Sequence, residues 1–187
     1  MPTPLLDLTP ETLDTATGEA QTLLANAKSK LGFVPNMYGY MAILPPVLGT
    51  YMAAYDAFRS QSGLTPAEQE TVFLSVSRAN GCTYCTAAHS MIAHKISKVP
   101  ADSLASLRDG TNLPDPKLQA VAQFTQAMVV SHGNPGKAAV DDFLAAGFGH
   151  QQVLGIVLAI ACKTLSNYTN HLAATPVDEA FAAYSVD

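Results

Sequence analysis

The sequence predicts an all-α fold, on three observations. Alternating Val/Ile/Thr runs are nearly absent, Ala and Leu recur at helical spacing, and helix-start and helix-stop residues punctuate the chain. At 187 residues the chain is long enough for a sizeable core, and it reads as one compact helical domain over 1–187 with an N-terminal arm of about residues 1–20.

The elements follow in order. Asn36, after Pro35, is placed to cap a short helix, and Pro45-Pro46 opens another that runs to Gly63, a C-terminal glycine. In LTPAEQETVFLSVSRANG, Thr65 is an N-cap, Pro66 suits the first helical position, and Glu68 completes a capping box. Asn80-Gly81 ends that helix, and the next begins near Cys82 and runs to about Lys98, ahead of Pro100. Further helices are expected from Asp115-Pro116 to about Ser131, from Gly136 to Ala146 with Gly147 as the stop, and from about His150 to Ala173. Thr175-Pro176 begins a short terminal one. Connections of a few residues fit packed helices. A weak internal echo sets Leu64 on Phe148, Cys82 on Ser166, Tyr84 on Tyr168 and Cys85 on Thr169. Duplication of a helical unit, or coincidence between two Ala-rich helices, accounts for it equally well.

Composition excludes several classes. Charged residues make up only 13% against 48% hydrophobic, so surface is expected to be hidden in a subunit interface. The net charge is −5 with no basic cluster, which argues against nucleic acid and anionic membranes as partners. The start, MPTPLLDLTPETLD, lacks a basic region followed by an apolar stretch and does not read as a signal peptide. The longest apolar run, Val153 to Cys162, is about half the roughly twenty residues that a membrane span needs. A soluble, cytoplasmic protein is expected. In a reducing compartment a close cysteine pair is more often catalytic or metal-binding than structural.

That pair lies in SRANGCTYCTAAH, Ser77 to His89. On a helix, Cys82, Cys85 and His89 share one stripe, near an N-terminus whose free N–H groups and dipole favour a thiolate. His89 is suited to take and return a proton at neutral pH. Glu70, on the preceding helix among Val72, Phe73 and Leu74, needs a partner if buried. Folding back through Asn80-Gly81 offers it His89 or a thiol, and burial is expected to raise its pKa towards neutrality. Three readings compete. A redox pair fits best. Structural zinc would have three ligands on one helix, with no second CxxC and His94 out of phase. Two buried thiols beside a satisfied histidine is the plainest alternative. Covalent haem needs CxxCH, and residue 86 is Thr.

Glu70 followed by SRANGCTYCTAAH resembles the E…CxxCxxxH signature of the alkylhydroperoxidase D-like group in the carboxymuconolactone decarboxylase superfamily. GFVPNMYGYM (32–41) and SNYTNHLAATPVDEAF (166–181) are similar to flanking segments of its peroxidase-related subgroup, so the likeness covers about residues 20 to 182. The resemblance implies an all-helical, homo-oligomeric protein, commonly a trimer or hexamer, that reduces hydroperoxides with no haem, metal or other cofactor and is recycled by a protein or small-thiol reductant. It implies Cys85 as the peroxidatic thiol, Cys82 as the resolving thiol, and Glu70 and His89 as the proton relay. The best-known members carry a second histidine just before the later cysteine, where this chain has Tyr84. A tyrosine hydroxyl donates a hydrogen bond but does not titrate near neutral pH. Lactone-decarboxylating members lack the cysteine pair. Thiol–disulfide exchange, or a non-catalytic helical assembly module, are the other functions that this pattern allows.

Among the remaining residues, Cys162 reads as a small buried side chain, His132 as a helix-end residue and His150 as a cap of the last helix. His171 shares a face with Asn167 and is either structural or pocket-lining. Met37, Tyr38, Tyr40 and Met41 suit core, interface or an organic-peroxide pocket, and Tyr51 and Tyr55 suit packing.

Overall fold

The computed structural model describes residues 3–186. Nine α-helices follow one another without a strand among the described residues: α1 Gly18–Leu31, α2 Asn36–Ala42, α3 Pro45–Gln61, α4 Pro66–Ala79, α5 Thr83–Lys95, α6 Ala101–Asp109, α7 Pro116–Val130, α8 Lys137–Ala145 and α9 His150–Ala173. A 3-10 turn, Glu179–Tyr184, closes the chain. The all-α expectation holds, and α3, α4, α5, α7, α8 and α9 lie within a few residues of where capping and glycine signals put them. Helices α1 and α6 had no strong cap to announce them. Thr17 and Pro100, their N-cap residues, make no side-chain capping bond.

Helix α4 is the axis. Ten consecutive residues, Glu68 to Ser77, are buried, with α5, α6, α7 and α9 packed around them. A helix buried on all sides must satisfy its own polar groups. Thr65 Oγ1 accepts from the Glu68 N–H while Glu68 accepts from the Thr65 N–H, completing the capping box. Gln69 donates to the carbonyls of Arg59 and Leu64, and Thr71 and Ser77 donate back to their own helix. Three apolar clusters surround this axis. Leu24, Met41, Leu48 and Tyr51 gather beside α5; Phe58, Phe73, Phe124 and Phe143 gather between α3, α4, α7 and α9; and Leu74, Leu104, Leu107 and Leu118 gather under α6.

The reversal from α4 into α5 decides where the cysteines sit. Gly81 takes φ +67°, the left-handed region that a side chain disfavours. The Cys82 N–H then returns to the Ser77 carbonyl at 2.8 Å. Asn80 Nδ2 donates to Asn167 Oδ1 at 2.9 Å and fixes this turn to α9. The echoed segments take different forms. Residues 64–95 break into two helices at Gly81, whereas 148–173 contain one unbroken helix, so the echo is not a repeated structural unit.

Two smaller expectations shift. Pro35, not Asn36, is the N-cap of α2, and Asn36 donates instead to the Pro176 carbonyl. Gly149, not His150, caps α9, with Gln152 accepting the Gly149 N–H. No single helix among the described residues is long and apolar enough to cross a membrane.

Candidate active site

Cys82 is the N-cap residue of α5 and Cys85 lies one turn in. Both side chains are 1% exposed, both are free thiols, and they approach to 3.6 Å. His89, one turn further, is 4% exposed and turns Nδ1 to Glu70 Oε2 at 2.9 Å. The other Glu70 oxygen accepts from Arg59 Nη2. The structure therefore brings together all four residues singled out from the sequence.

Burial disfavours the Glu70 charge, but His89 and Arg59 outweigh it and hold the carboxyl below its ordinary range. The raised carboxyl expected from burial alone is not found, because Arg59 lies against Glu70. Arg59 comes from α3, where it also donates to Tyr55 Oη at 2.8 Å and lies 4.8 Å over the Tyr55 and Phe73 rings. Burial, then the charge of Lys163, push the His89 pKa down against the pull of Glu70. A carboxylate only accepts, so neutral His89 carries its proton on Nδ1 and offers Nε2 as the base.

The donors around the sulfurs come from α9. Lys163, Ser166 and Asn170 recur at helical spacing on its buried face. Asn170 Nδ2 lies 3.3 Å from Cys85 Sγ and 3.8 Å from Cys82 Sγ, and Ser166 Oγ lies 3.8 Å from Cys85 Sγ. Burial opposes ionisation of Cys85, yet the hydrogen bond with Cys82 and the charge of Lys163 hold its thiol well below the ordinary value. Cys82 is driven the other way, by its hydrogen bond with Cys85 and then by burial. The two shifts run in opposite directions, Cys85 towards the thiolate and Cys82 towards the thiol. The sequence points to the helix start as the source of thiolate stabilisation. The side-chain donors that do this come from a helix some eighty residues away. A lysine directly after the apolar run Val153 to Cys162 was the available signal for Lys163.

Tyr84 does not join the Glu70–His89 contact. Its hydroxyl donates to Asp178 Oδ2 at 2.5 Å, and Asp178 Oδ1 also accepts the Asn36 N–H at 3.0 Å. This links α5 to α2 and the terminal segment. Among the described residues, no group of three His, Cys, Asp or Glu is arranged to hold a metal ion.

A cavity of about 440 Å³ reaches Cys85 and His89. Its wall is mostly apolar and aromatic, with Phe33, Met37, Tyr38, Tyr51, Tyr55, Tyr84 and Phe181, and Arg59 is its cation. Tyr51 and Tyr55 therefore line the cavity as well as packing. Tyr40 and Met41 do not line it, and Met41 belongs to the core. Cys162 is a fully buried core residue, His132 ends its helix at φ +53°, and His171 is exposed beside Tyr168.

Residues 45–127 match the model of the carboxymuconolactone decarboxylase family. No curated protein matches the chain. Among solved structures, the chain is similar to an alkylhydroperoxidase AhpD core, an uncharacterized peroxidase-related protein from Ralstonia eutropha JMP134, at 23% identity over 96% of both chains and a TM-score of 0.80. It is also similar to a cysteine-to-alanine variant of the debrominase Bmp8 in complex with 2,3,4-tribromopyrrole, at 17% identity over 96% of this chain and 95% of that one, with a TM-score of 0.77. A peroxidase-related protein from Silicibacter sp. TM1040 matches at 20% identity over 95% and 93%, with a TM-score of 0.76. These likenesses establish the fold.

Proposed function

We propose that this chain, which carries the carboxymuconolactone decarboxylase family region over residues 45–127, is a thiol-dependent peroxidase acting on organic hydroperoxides. One observation carries the reading: Cys85, 3.6 Å from Cys82, lines a mostly apolar cavity, beside a histidine whose tautomer a buried carboxylate fixes. Cys85 thiolate attacks the distal peroxide oxygen and the O–O bond breaks. With one proton taken up, the products are Cys85 sulfenic acid and an alcohol. That proton travels through His89 Nε2, and the Glu70 charge offsets the imidazolium formed in transit. The Cys82 thiol then displaces water from the sulfenic acid, giving the Cys82–Cys85 disulfide. A dithiol or two small thiols restore the pair by exchange.

Burial of both sulfurs favours a small substrate over a protein disulfide. Exposed Leu154, Val157 and Leu172 on α9 support self-association, in keeping with the low charge content.

A second reading draws on the aromatic cavity wall and the likeness to a debrominase bound to tribromopyrrole. The same pair would reduce a carbon–bromine bond: thiolate and thiol supply two electrons and one proton, giving the debrominated arene, bromide and the disulfide. The deciding experiment treats reduced protein with one equivalent of cumene hydroperoxide or of 2,3,4-tribromopyrrole and follows thiol loss by time-resolved mass spectrometry. Rapid disulfide formation with the peroxide alone supports the first reading. Bromide release with the pyrrole alone supports the second and refutes the first.

A further inference from the structure

The buried lysine of α9 has no part in the fold that its surroundings explain. Lys163 is 0% exposed, and its ammonium has no hydrogen-bond partner among the described residues. The ring of Phe73 lies 5.5 Å away, a face that attracts a cation without neutralising it. An isolated buried charge is costly, and proteins remove it by pairing or by proton loss.

The buried carboxylates are already engaged. Glu70 is held by Arg59 and His89, Glu68 by the Thr65 N–H, and Asp178 by Tyr84 and the Asn36 N–H. Arg59 and Glu70 cancel, and neutral His89 adds no charge. One positive charge remains. Lys163 lies one and two turns before Ser166 and Asn170, both of which reach Cys85. The titratable groups around Cys85 are Tyr51 from α3, Cys82, Tyr84 and His89 from α5, and Cys162 and Lys163 from α9. Lys163 is the fixed cation among them.

We propose that Lys163 is the countercharge that keeps Cys85 a thiolate in the reduced protein, and that it loses this partner whenever the Cys82–Cys85 disulfide closes. The proposal takes from the functional reading only that Cys85 is the reacting sulfur. The direction of the Cys85 shift agrees with it. Closure removes the Cys85 anion and the Cys82 proton and passes two electrons to the oxidant. It also leaves Lys163 without a countercharge in an apolar setting. Lys163 is thus a positioning residue: it acts through the charge on Cys85.

The test needs no peroxide, so it stands apart from any failure to turn over hydroperoxides. The ultraviolet thiolate absorbance of reduced protein is titrated with pH, with Cys85→Ser as the blank. Wild type is expected to keep one thiolate per chain at neutral pH. In Lys163→Met the midpoint is expected to rise by at least about one unit, towards the ordinary thiol value of roughly 8.5, and alkylation by iodoacetamide at mildly acidic pH to slow about tenfold or more. Lys163→Arg, which keeps the charge, is expected to restore both. A folded Lys163→Met with an unchanged midpoint overturns the proposal, as does a wild type with no thiolate at neutral pH. If Lys163→Met does not fold, wild type decides. The Lys163 side-chain NMR chemical shifts are compared at neutral pH in the reduced form and in the form oxidised by diamide, an azo compound that takes up two electrons and two protons. The Lys163 signals are expected to move on oxidation, and identical spectra in both forms refute the countercharge.

Discussion

Glu70 Oε2 sits 2.9 Å from His89 Nδ1, and the second oxygen of the same carboxylate is held by Arg59. Glu70 is fully buried and comes from α4, His89 from α5 and Arg59 from α3, so the contact joins three helices in one charged cluster. Glu70→Gln removes the anion beside Arg59 and turns one of the two acceptor oxygens into an amide donor, so the side chain can no longer accept from both Arg59 and His89. Breaking a buried pair costs about 3–5 kcal/mol. A large drop in the urea midpoint is expected, together with at least about a 10²-fold loss of peroxide-dependent thiol oxidation if His89 needs Glu70 to hold its tautomer. Wild-type oxidation kinetics in a folded Glu70→Gln protein would remove Glu70 from the relay.

The two cysteines should fail differently. Cys85→Ser is expected to abolish turnover. Cys82→Ser is expected to form a sulfenic acid at Cys85 that persists and is captured by dimedone, as a single mass adduct per chain. Capture at Cys82 in the Cys85→Ser protein, at a comparable rate, would reverse the assignment.

Acid stability follows from the same groups. The Glu70 pKa is lowered in the folded state from about 4.5, and that of His89 from about 6.5. For both, the unfolded chain binds the proton more readily, so stability is full above the unfolded value and is lost as pH falls through the folded one. Urea midpoints should decline first below about pH 6.5 and more steeply below about 4.5. At the alkaline end, burial pushes the Cys162 thiol up to about 12, so that contribution is lost as pH rises above the ordinary thiol range. Glu70→Gln should flatten the lower acid limb, and an undiminished slope there would assign it to other carboxylates.

Tyr84→Phe separates structure from chemistry. It deletes the hydroxyl that donates to Asp178 and leaves the Glu70–His89 contact intact. A hydrogen bond to a charged group contributes about 1.5–3 kcal/mol, so thermal stability should fall while the rate of peroxide-driven oxidation stays within about twofold. A rate loss of an order of magnitude would bring Tyr84 into the mechanism.

Cavity shape should set substrate size. Ala88 lines the cavity beside His89, and Ala88→Leu fills part of its 440 Å³. KM for cumene hydroperoxide should rise several-fold while hydrogen peroxide kinetics are unchanged. Equal losses for both would place the entry route elsewhere.

Much of this was legible in the chain itself. Thr65 with Glu68, Pro45, Asp115-Pro116 and Gly147 mark helix ends because capping and backbone sterics act over three or four residues. Cys82, Cys85 and His89 lie on one stripe because helical periodicity alone puts them there. What the sequence could not carry is which groups from distant segments surround that stripe. Arg59 reverses the expected shift of Glu70, Asp178 takes the Tyr84 hydroxyl, and Lys163, Ser166 and Asn170 supply the polarity assigned to a helix end. Local structure follows from short-range chemistry. The charge state of a buried group is set by whichever neighbours the packing brings within a few ångströms, and only the tertiary structure decides that.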